Sequence, residues 1–313
     1  MQALRDVEDE VWPLVLNVAC GYDVLGFALY DIGDTLVIKK TTSPKWNIVN
    51  GKGCEGLPTE PAKNVIGVAV NALFNAYDKK IDFGFTFEVS KNIKPGSGLG
   101  SSASSSCAAV FGVNQLLGCP FNTKELVAFA MEGERAATGT AHADNVAPCL
   151  LGGFTLIRSY HPLDIVTLEY PKLLYAAVVH PQIEVKTTDS KKIIKREIPL
   201  KDAIIQWGNL GGLIAGLAKS DYDLISRSLK DVIAEPARAV LIPNFYEAKE
   251  AALNAGALGS SISGSGPSIF ALTQSKKQAT SIAAEFDRIY QAHGIKANTY
   301  ISKVNAYGTT VVS

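Results

Sequence analysis

The chain has 313 residues, with 47% apolar and 19% charged side chains. That is enough for two domains with sizeable cores and too apolar for a disordered chain. Thirty basic residues balance thirty acidic ones, so there is no net charge to hold a nucleic acid or an anionic membrane surface.

Met1 to Glu10 is acidic and has no apolar segment, which argues against a secretory signal. No uncharged apolar run approaches the length of a membrane span. The five cysteines are scattered, odd in number and without a CxxC pair. Reduced thiols in a cytoplasmic protein are expected, not a disulfide framework or a zinc site.

In chain order, Asp34 to Lys40 reads as a strand. Asn64 to Tyr77 has the apolar spacing of a helix, with Asn64 as its N-cap. Ile81, Phe83, Phe85, Phe87 and Val89 alternate on one face of a strand. A Gly/Ser run, Pro95 to Ser106, comes next, and an apolar helix is expected over Cys107 to Leu117. Asn122 to Thr138 reads as a helix, with Asn122 and Glu125 as a capping box. Strands are expected at Phe154–Arg158 and Leu174–Val179. Helices are expected at Asp202–Leu217, Asp221–Ile233 and Asn244–Asn254. A second Gly/Ser loop, Gly259 to Ser268, precedes a strand (Ile269–Leu272), a helix (Lys276–Ala292) and a last strand (Ala297–Val304).

Four segments carry possible chemistry. The first is Pro95-Gly-Ser-Gly-Leu-Gly-Ser-Ser-Ala103, set between a strand and a helix. Glycines let the backbone approach a ligand, and a helix N-terminus suits phosphate. Three readings compete: a phosphate cradle, a dinucleotide fingerprint and a plain flexible turn. No GK[ST] follows, which excludes a Walker A loop. The second is Glu134 to Pro148. Glu134 ends a helix as a possible Mg²⁺ ligand, or as a partner of Arg135 or Arg158. His142, Asp144 and Asn145 are expected in the loop beyond, as substrate or proton groups or as turn formers. The third is Asn17 to Asp23, two polar groups around Gly21 or an ordinary turn. The fourth, Gly259 to Pro267, has the chemistry of the first loop, and the two loops together are expected to clamp one ligand from both sides. His161, His180 and His293 read as structural or surface residues.

Taken together, these segments resemble the GHMP small-molecule kinases, and within them the branch that acts on homoserine. Pro95-GSGLGSSAS is similar to the family's phosphate loop. His142-ADNVAP resembles its second motif and Ser263-GSGP its third. Asn17…Gly21-Tyr-Asp23-Val-Leu-Gly26 and Glu235-Pro-Ala-Arg238 match two further segments. The resemblance implies an α+β fold of two domains: an N-terminal ATP-binding domain over residues 1–160, with a left-handed β-α-β unit, and a smaller C-terminal domain over 161–313. It implies phosphoryl transfer from Mg·ATP to the side-chain hydroxyl of L-homoserine, and a homodimer.

The resemblance also implies residue roles. Pro95, Gly96, Ser97, Gly98, Leu99, Gly100, Ser101, Ser102, Ala103, Ser104 and Ser105 would wrap the phosphates of ATP, with Asn64 near the adenine. Ser101 or Ser102 would hold Mg²⁺ with Glu134. Asn17, Asp23, His142 and Asn145 would surround homoserine. Arg238 would take its carboxylate, with Lys191 where the family usually has a second Arg. Glu134, Asp144 and Asn145 are the catalytic candidates. Two features depart from the pattern. Trp12-Pro-Leu-Val-Leu replaces the family's P-A-[ST]-x-A before Asn17, and the acidic Arg5–Glu10 stands where an apolar first strand is usual. The alternatives are another GHMP kinase with a different alcohol, or an inactive nucleotide-binding module. A dehydrogenase is a more distant one.

Overall fold

A computed structural model describes residues 7–11, 15–30, 33–183, 185, 190 and 193–311. Trp12 and Lys191 lie outside them. The first sheet has the order β13-β1-β4-β6-β5, with β1 Val7–Val11, β4 Thr35–Thr41, β5 Trp46–Asn50, β6 Gly84–Ser90 and β13 Thr310–Val311. A second sheet joins β2 Val15–Asn17, β3 Leu25–Ala28, β7 Phe154–Tyr160 and β8 Leu163–Leu168 in that order. The third has the order β10-β11-β9-β12, with β9 Tyr175–Pro181, β10 Gly259–Ile262, β11 Ile269–Thr273 and β12 Ala297–Lys303.

The helices α1 Val65–Ala76, α2 Ser101–Leu116, α3 Thr123–Thr138 and α4 Ala143–Leu151 share a core with β4, β5 and β6. Five further helices complete the described residues: α5 Leu200–Lys219, α6 Tyr222–Ser228, α7 Ala234–Arg238, α8 Phe245–Asn254 and α9 Lys276–Ala292. β5, α1 and β6 form a β-α-β unit whose strands pair in parallel. The expected domain division at 160/161 falls in the turn of the β7–β8 hairpin.

Local signals predict several elements well. Asn64 caps α1, its Oδ1 accepting from the Ile66 N–H. The Asn122–Glu125 capping box is made in both directions, and Gly139 closes α3 with a positive φ. Phe85 and Phe87 are fully buried on the inner face of β6, each contributing about 1.5–3 kcal/mol by removal from water. Ile81 and Phe83 lie before β6 begins.

Other expectations are corrected. α2 starts at Ser101, six residues ahead of the predicted Cys107. Serine has modest helix propensity, but Ser104, Ser105 and Ser106 are buried, and small side chains let α3 pack close. A Cβ on Gly133 of α3 would come within 2.2 Å of the Ser106 Oγ. His142 is the N-cap of α4, and Asp144 and Asn145 lie in its first turn, not in a loop. Gly259–Ile262, expected as loop, pairs with β11 as a strand. Val7–Val11 is a strand despite its acidity, because β4 and β13 flank it on both sides. The predicted Asp221–Ile233 helix is shorter, ending at Ser228.

Candidate active site

One cavity of about 430 Å³ collects most of the predicted residues. Its walls come from β2, the β5–α1 segment, the loop before α2, α3, the start of α4, α7 and the turn after β10.

The phosphate-like part is built from backbone. Gly96, Gly98 and Gly100 all have positive φ, which side-chain-bearing residues adopt only with strain. Gly98 is also in close contact, since a Cβ there would sit 2.5 Å from the Ser263 carbonyl oxygen. The Ser263 hydroxyl donates to the Gly98 carbonyl at 2.7 Å, and the Ser268 hydroxyl to the Ser97 carbonyl at 2.7 Å. The second Gly/Ser loop therefore holds the first by its carbonyls. Of its residues only Gly264 and Ser265 reach the cavity, so the expected two-sided clamp is mainly a splint. Ser101 and Ser102 open onto the cavity at the N-terminus of α2. The hydroxyls of Ser97 and Ser105 are buried without a hydrogen-bond partner, a costly state. Leu99, Ala103 and Ser104 are buried but do not line the cavity.

Beneath this loop lies Lys91, which sequence reasoning missed. Its ammonium donates to Asp34 Oδ2 at 2.8 Å and to the Ser101 carbonyl and hydroxyl, each at 2.7 Å. Asp34 in turn accepts from the Asn92 and Ile93 N–H groups, both at 3.0 Å. The pair is almost wholly buried; such a pair persists only when its remaining bonds are satisfied. The Ser101 hydroxyl also donates to the Ile93 carbonyl at 3.1 Å. An oxygen held between an ammonium and a carbonyl is poorly placed to bind a cation, which leaves Ser102 as the better hydroxyl candidate. No local signal marks Lys91, since Asn92, Ile93 and Lys94 separate it from Pro95 and Lys94 is the lysine next to the loop.

Glu134 is buried and faces the cavity from the last turn of α3. The alternative partners are engaged elsewhere: Arg135 with Glu132 and Arg158 with Asp164. A buried carboxylate and a helix-end hydroxyl are hard oxygen donors of the kind Mg²⁺ takes.

The other part is built from charged side chains. Asn17 donates through Nδ2 to Asp144 Oδ2, a contact between residues 127 positions apart. β3 makes it possible: a Cβ on Gly26 would sit 2.0 Å from the Asp144 carbonyl oxygen, so α4 rests directly on the strand. His142 Nδ1 lies 3.8 Å from carboxylate oxygens of both Asp23 and Asp144. The Tyr160 hydroxyl donates to the Asp23 carbonyl at 3.2 Å and stands 3.5 Å from Asp144 Oδ1. Burial, reinforced by the negative charge of Asp23 and only partly offset by the Asn17 bond, pushes the Asp144 carboxyl up to about 7. Asn145 also lines the cavity.

Arg238 is buried on α7. Nε donates to the Ser190 carbonyl, Nη1 to the Gly264 carbonyl at 2.7 Å and Nη2 to the Tyr22 hydroxyl at 3.2 Å. Its guanidinium also stacks on the Tyr22 ring, 4.7 Å from the centroid. A guanidinium has five N–H donors, so among the described residues one remains on each terminal nitrogen. That is the fork a carboxylate takes. Tyr22 had no separate signal beyond its place in the Asn17–Gly26 segment.

The model of the GHMP kinases N-terminal domain matches residues 64–153 and that of the C-terminal domain residues 213–292. A solved homoserine kinase from Cytophaga hutchinsonii superposes with a TM-score of 0.95 at 46% identity, covering 100% of this chain and 99% of that one. A homoserine kinase of Chloroherpeton thalassium is 47% identical over 306 residues, 95% of this chain and 96% of that protein. Mevalonate kinase of L. major, at 15% identity and a TM-score of 0.71, shares the fold alone. The chain belongs to the GHMP kinase family, in its homoserine kinase branch. No described helix is long and apolar enough to cross a membrane.

Proposed function

We propose that the chain transfers the γ-phosphoryl group of ATP to the side-chain hydroxyl of L-homoserine, giving O-phospho-L-homoserine and ADP, a step toward threonine. The observation that carries this reading is one cavity that gathers both sets of groups, in a chain close in sequence to homoserine kinases. It sets a carbonyl-pinned glycine loop beside a ring of Asn17, Asp23, His142, Asp144 and Arg238.

The reading assigns the triphosphate to Pro95–Ser102 and the hydroxyls of Ser97 and Ser105, with the base near Asn64. Glu134 and Ser102 would hold Mg²⁺, which when bound neutralises phosphate charge. The homoserine carboxylate meets the Arg238 fork, with Tyr22 fixing the guanidinium plane. Its ammonium suits the Asp23 carboxylate. Its hydroxyl lies between Asn145 and Asp144. The hydroxyl oxygen attacks the γ-phosphorus, the bond to the β–γ bridging oxygen breaks, and the proton passes to Asp144. Phosphoryl transfer demands mainly alignment and charge compensation, which these residues supply. The Lys91–Asp34 pair fixes the first turn of α2 at the loop's end. We also assign the protein to the cytoplasm, in keeping with its free cysteines, four of them buried.

The test is ADP release from Mg·ATP with L-homoserine, L-serine, mevalonate, galactose or no acceptor. Release with homoserine alone is expected. Release with another alcohol would move the chain to a different GHMP activity, and ATP binding without any release would make it an inactive nucleotide module.

A further inference from the structure

Behind the cavity, a buried polar network links two segments of the acceptor part. Gln206 of α5 and Asp231, just before α7, are both buried, and neither lines the cavity. Gln206 Nε2 donates to Asp231 Oδ1 at 2.9 Å and to the Cys20 carbonyl at 3.2 Å, while Oε1 accepts from the Val232 N–H at 3.0 Å. Two acceptors at one end and a donor at the other fix which way the amide faces. Asp231 in turn secures the start of α7. Its Oδ1 accepts from the Ile233 and Ala234 N–H groups at 2.8 and 3.0 Å, and Oδ2 from that of Glu235 at 2.9 Å. Arg238 ends that five-residue helix. At the other end, Cys20 lies in the turn that leads to Tyr22 and Asp23. Ala19 and Asp23 have φ of 36° and 57° there, a region that side-chain-bearing residues hold only when their surroundings enforce it. The Cys20 thiol also donates to the Ser228 carbonyl at 3.3 Å, but a thiol is a weak donor.

We infer that Gln206 and Asp231 are positioning residues for the amino-acid end of the substrate: their bond ties the turn carrying Tyr22 and Asp23 to the helix carrying Arg238, and so presets the spacing of the groups that take the ammonium and the carboxylate. This deepens the reading that Asp23 and Arg238 receive those groups, and rests on it. An α-amino acid presents its two charges at a nearly fixed separation, because both groups are attached to one carbon. A pocket already set to that separation loses no binding energy to ordering itself. Without the bond, the Asp231 carboxylate and the Cys20 carbonyl lose a buried donor, and the turn is free to leave its positive φ values. Asp23 and Arg238 then have to be brought together by the substrate. The loss falls on the amino acid and not on ATP, since the glycine loop is held by Ser263 and Ser268 instead.

The experiment is steady-state kinetics of ADP release with L-homoserine for wild type, Gln206→Met, Gln206→Asn and Asn209→Ala, with thermal melting to establish folding. Methionine keeps the length of the side chain and removes its hydrogen bonds. Asparagine keeps the amide but withdraws it by one carbon, so that a polar group still faces Asp231 if methionine is not tolerated. Asn209 is the control: it bonds the same segment at the Lys230 carbonyl, 2.9 Å away, in an exposed position and without involving the turn. Each Gln206 variant is expected to raise KM for homoserine about tenfold, the scale of ordering one or two side chains on binding. KM for ATP and kcat should hold, and Asn209→Ala should leave all three unchanged. A merely structural role would lower the melting temperature without this split. An unchanged KM for homoserine in a folded Gln206 variant would overturn the proposal, as would a parallel rise in both KM values. Failure of both Gln206 variants to fold would overturn it too, by making the network a requirement of the fold. Absence of ADP release by wild type with homoserine would bring down the functional reading itself, and this inference with it.

Discussion

The two parts of the cavity are built by different means, and under the proposed function each would recognise its ligand accordingly. The phosphate part is made of backbone and small side chains, held from behind by Ser263, Ser268 and Lys91. The acceptor part is made of charged side chains, and there burial, reinforced by the charge of Asp23, pushes the Asp144 carboxyl up. A site made of backbone is tuned by shape, and its failures are steric. A site made of carboxylates and a guanidinium is tuned by charge, and its failures depend on pH and on which substrate is varied.

The largest effect should come from the charged part. If Asp144 takes the hydroxyl proton, Asp144→Asn lowers kcat by roughly 10²–10⁴-fold, read in steady-state kinetics at saturating substrates. A loss of only a few fold would remove Asp144 as the base. The pH dependence sharpens the point. With its carboxyl near 7 in the fold against 3.8 in the unfolded chain, wild-type turnover should rise with pH up to about 7 and then level. The same shift acts oppositely on stability. Between those two values the folded chain holds a proton that the unfolded chain has released, so the contribution of Asp144 is greatest below about pH 4 and declines until about pH 7. Thermal melting against pH should show that decline in wild type and lose it in Asp144→Asn.

Glu134→Gln should cost roughly 10²–10³-fold in turnover and raise the Mg²⁺ concentration needed for half-maximal rate. An unchanged Mg²⁺ titration would take Glu134 out of the metal site. Arg238→Lys keeps the charge but loses the fork. It should raise KM for homoserine by about 10²-fold while KM for ATP holds, and a parallel rise in both would mean that the guanidinium supports the phosphate loop instead.

At the backbone part, Gly98→Ala brings a Cβ against the Ser263 carbonyl at positive φ. Strain of about 1–3 kcal/mol is expected, seen as a lower melting temperature together with weaker ATP binding. Unaltered ATP affinity would show that the loop's exact path is not what holds the phosphates. The smallest effect belongs outside both parts. Asn122→Ala breaks the α3 capping box and should cost about 1 kcal/mol in denaturant unfolding with kinetics unchanged.

Comparison of sequence with structure follows a similar division. Helices whose ends carry their own signals, α1 with Asn64 and α3 with Asn122 and Gly139, are legible because a cap is satisfied within three or four residues. The alternation of Phe85, Phe87 and Val89 makes β6 equally plain. α2 begins at Ser101, earlier than its sequence predicts, because serine propensity says little about a helix buried on several sides. β1 reads as an acidic leader because its pairing partners, β4 and β13, lie far along the chain. The site divides the same way. The contiguous motifs named the residues of the glycine loop, His142 to Asn145 and Arg238. Lys91, Tyr160 and Gln206 belong to no motif, and nothing local distinguishes them from surface or core polar residues.

The sequence alone thus determined which chemical groups this protein carries in its clusters of glycines, carboxylates and one arginine, since those spacings are local properties of the chain. The tertiary structure alone decided which atoms remain available. Asn17 reaches Asp144 over 127 positions, Lys91 takes the Ser101 hydroxyl, and the second Gly/Ser loop turns from ligand clamp to splint. Hydrogen-bond capacity is a property of neighbours in space, and only the folded chain specifies who those neighbours are.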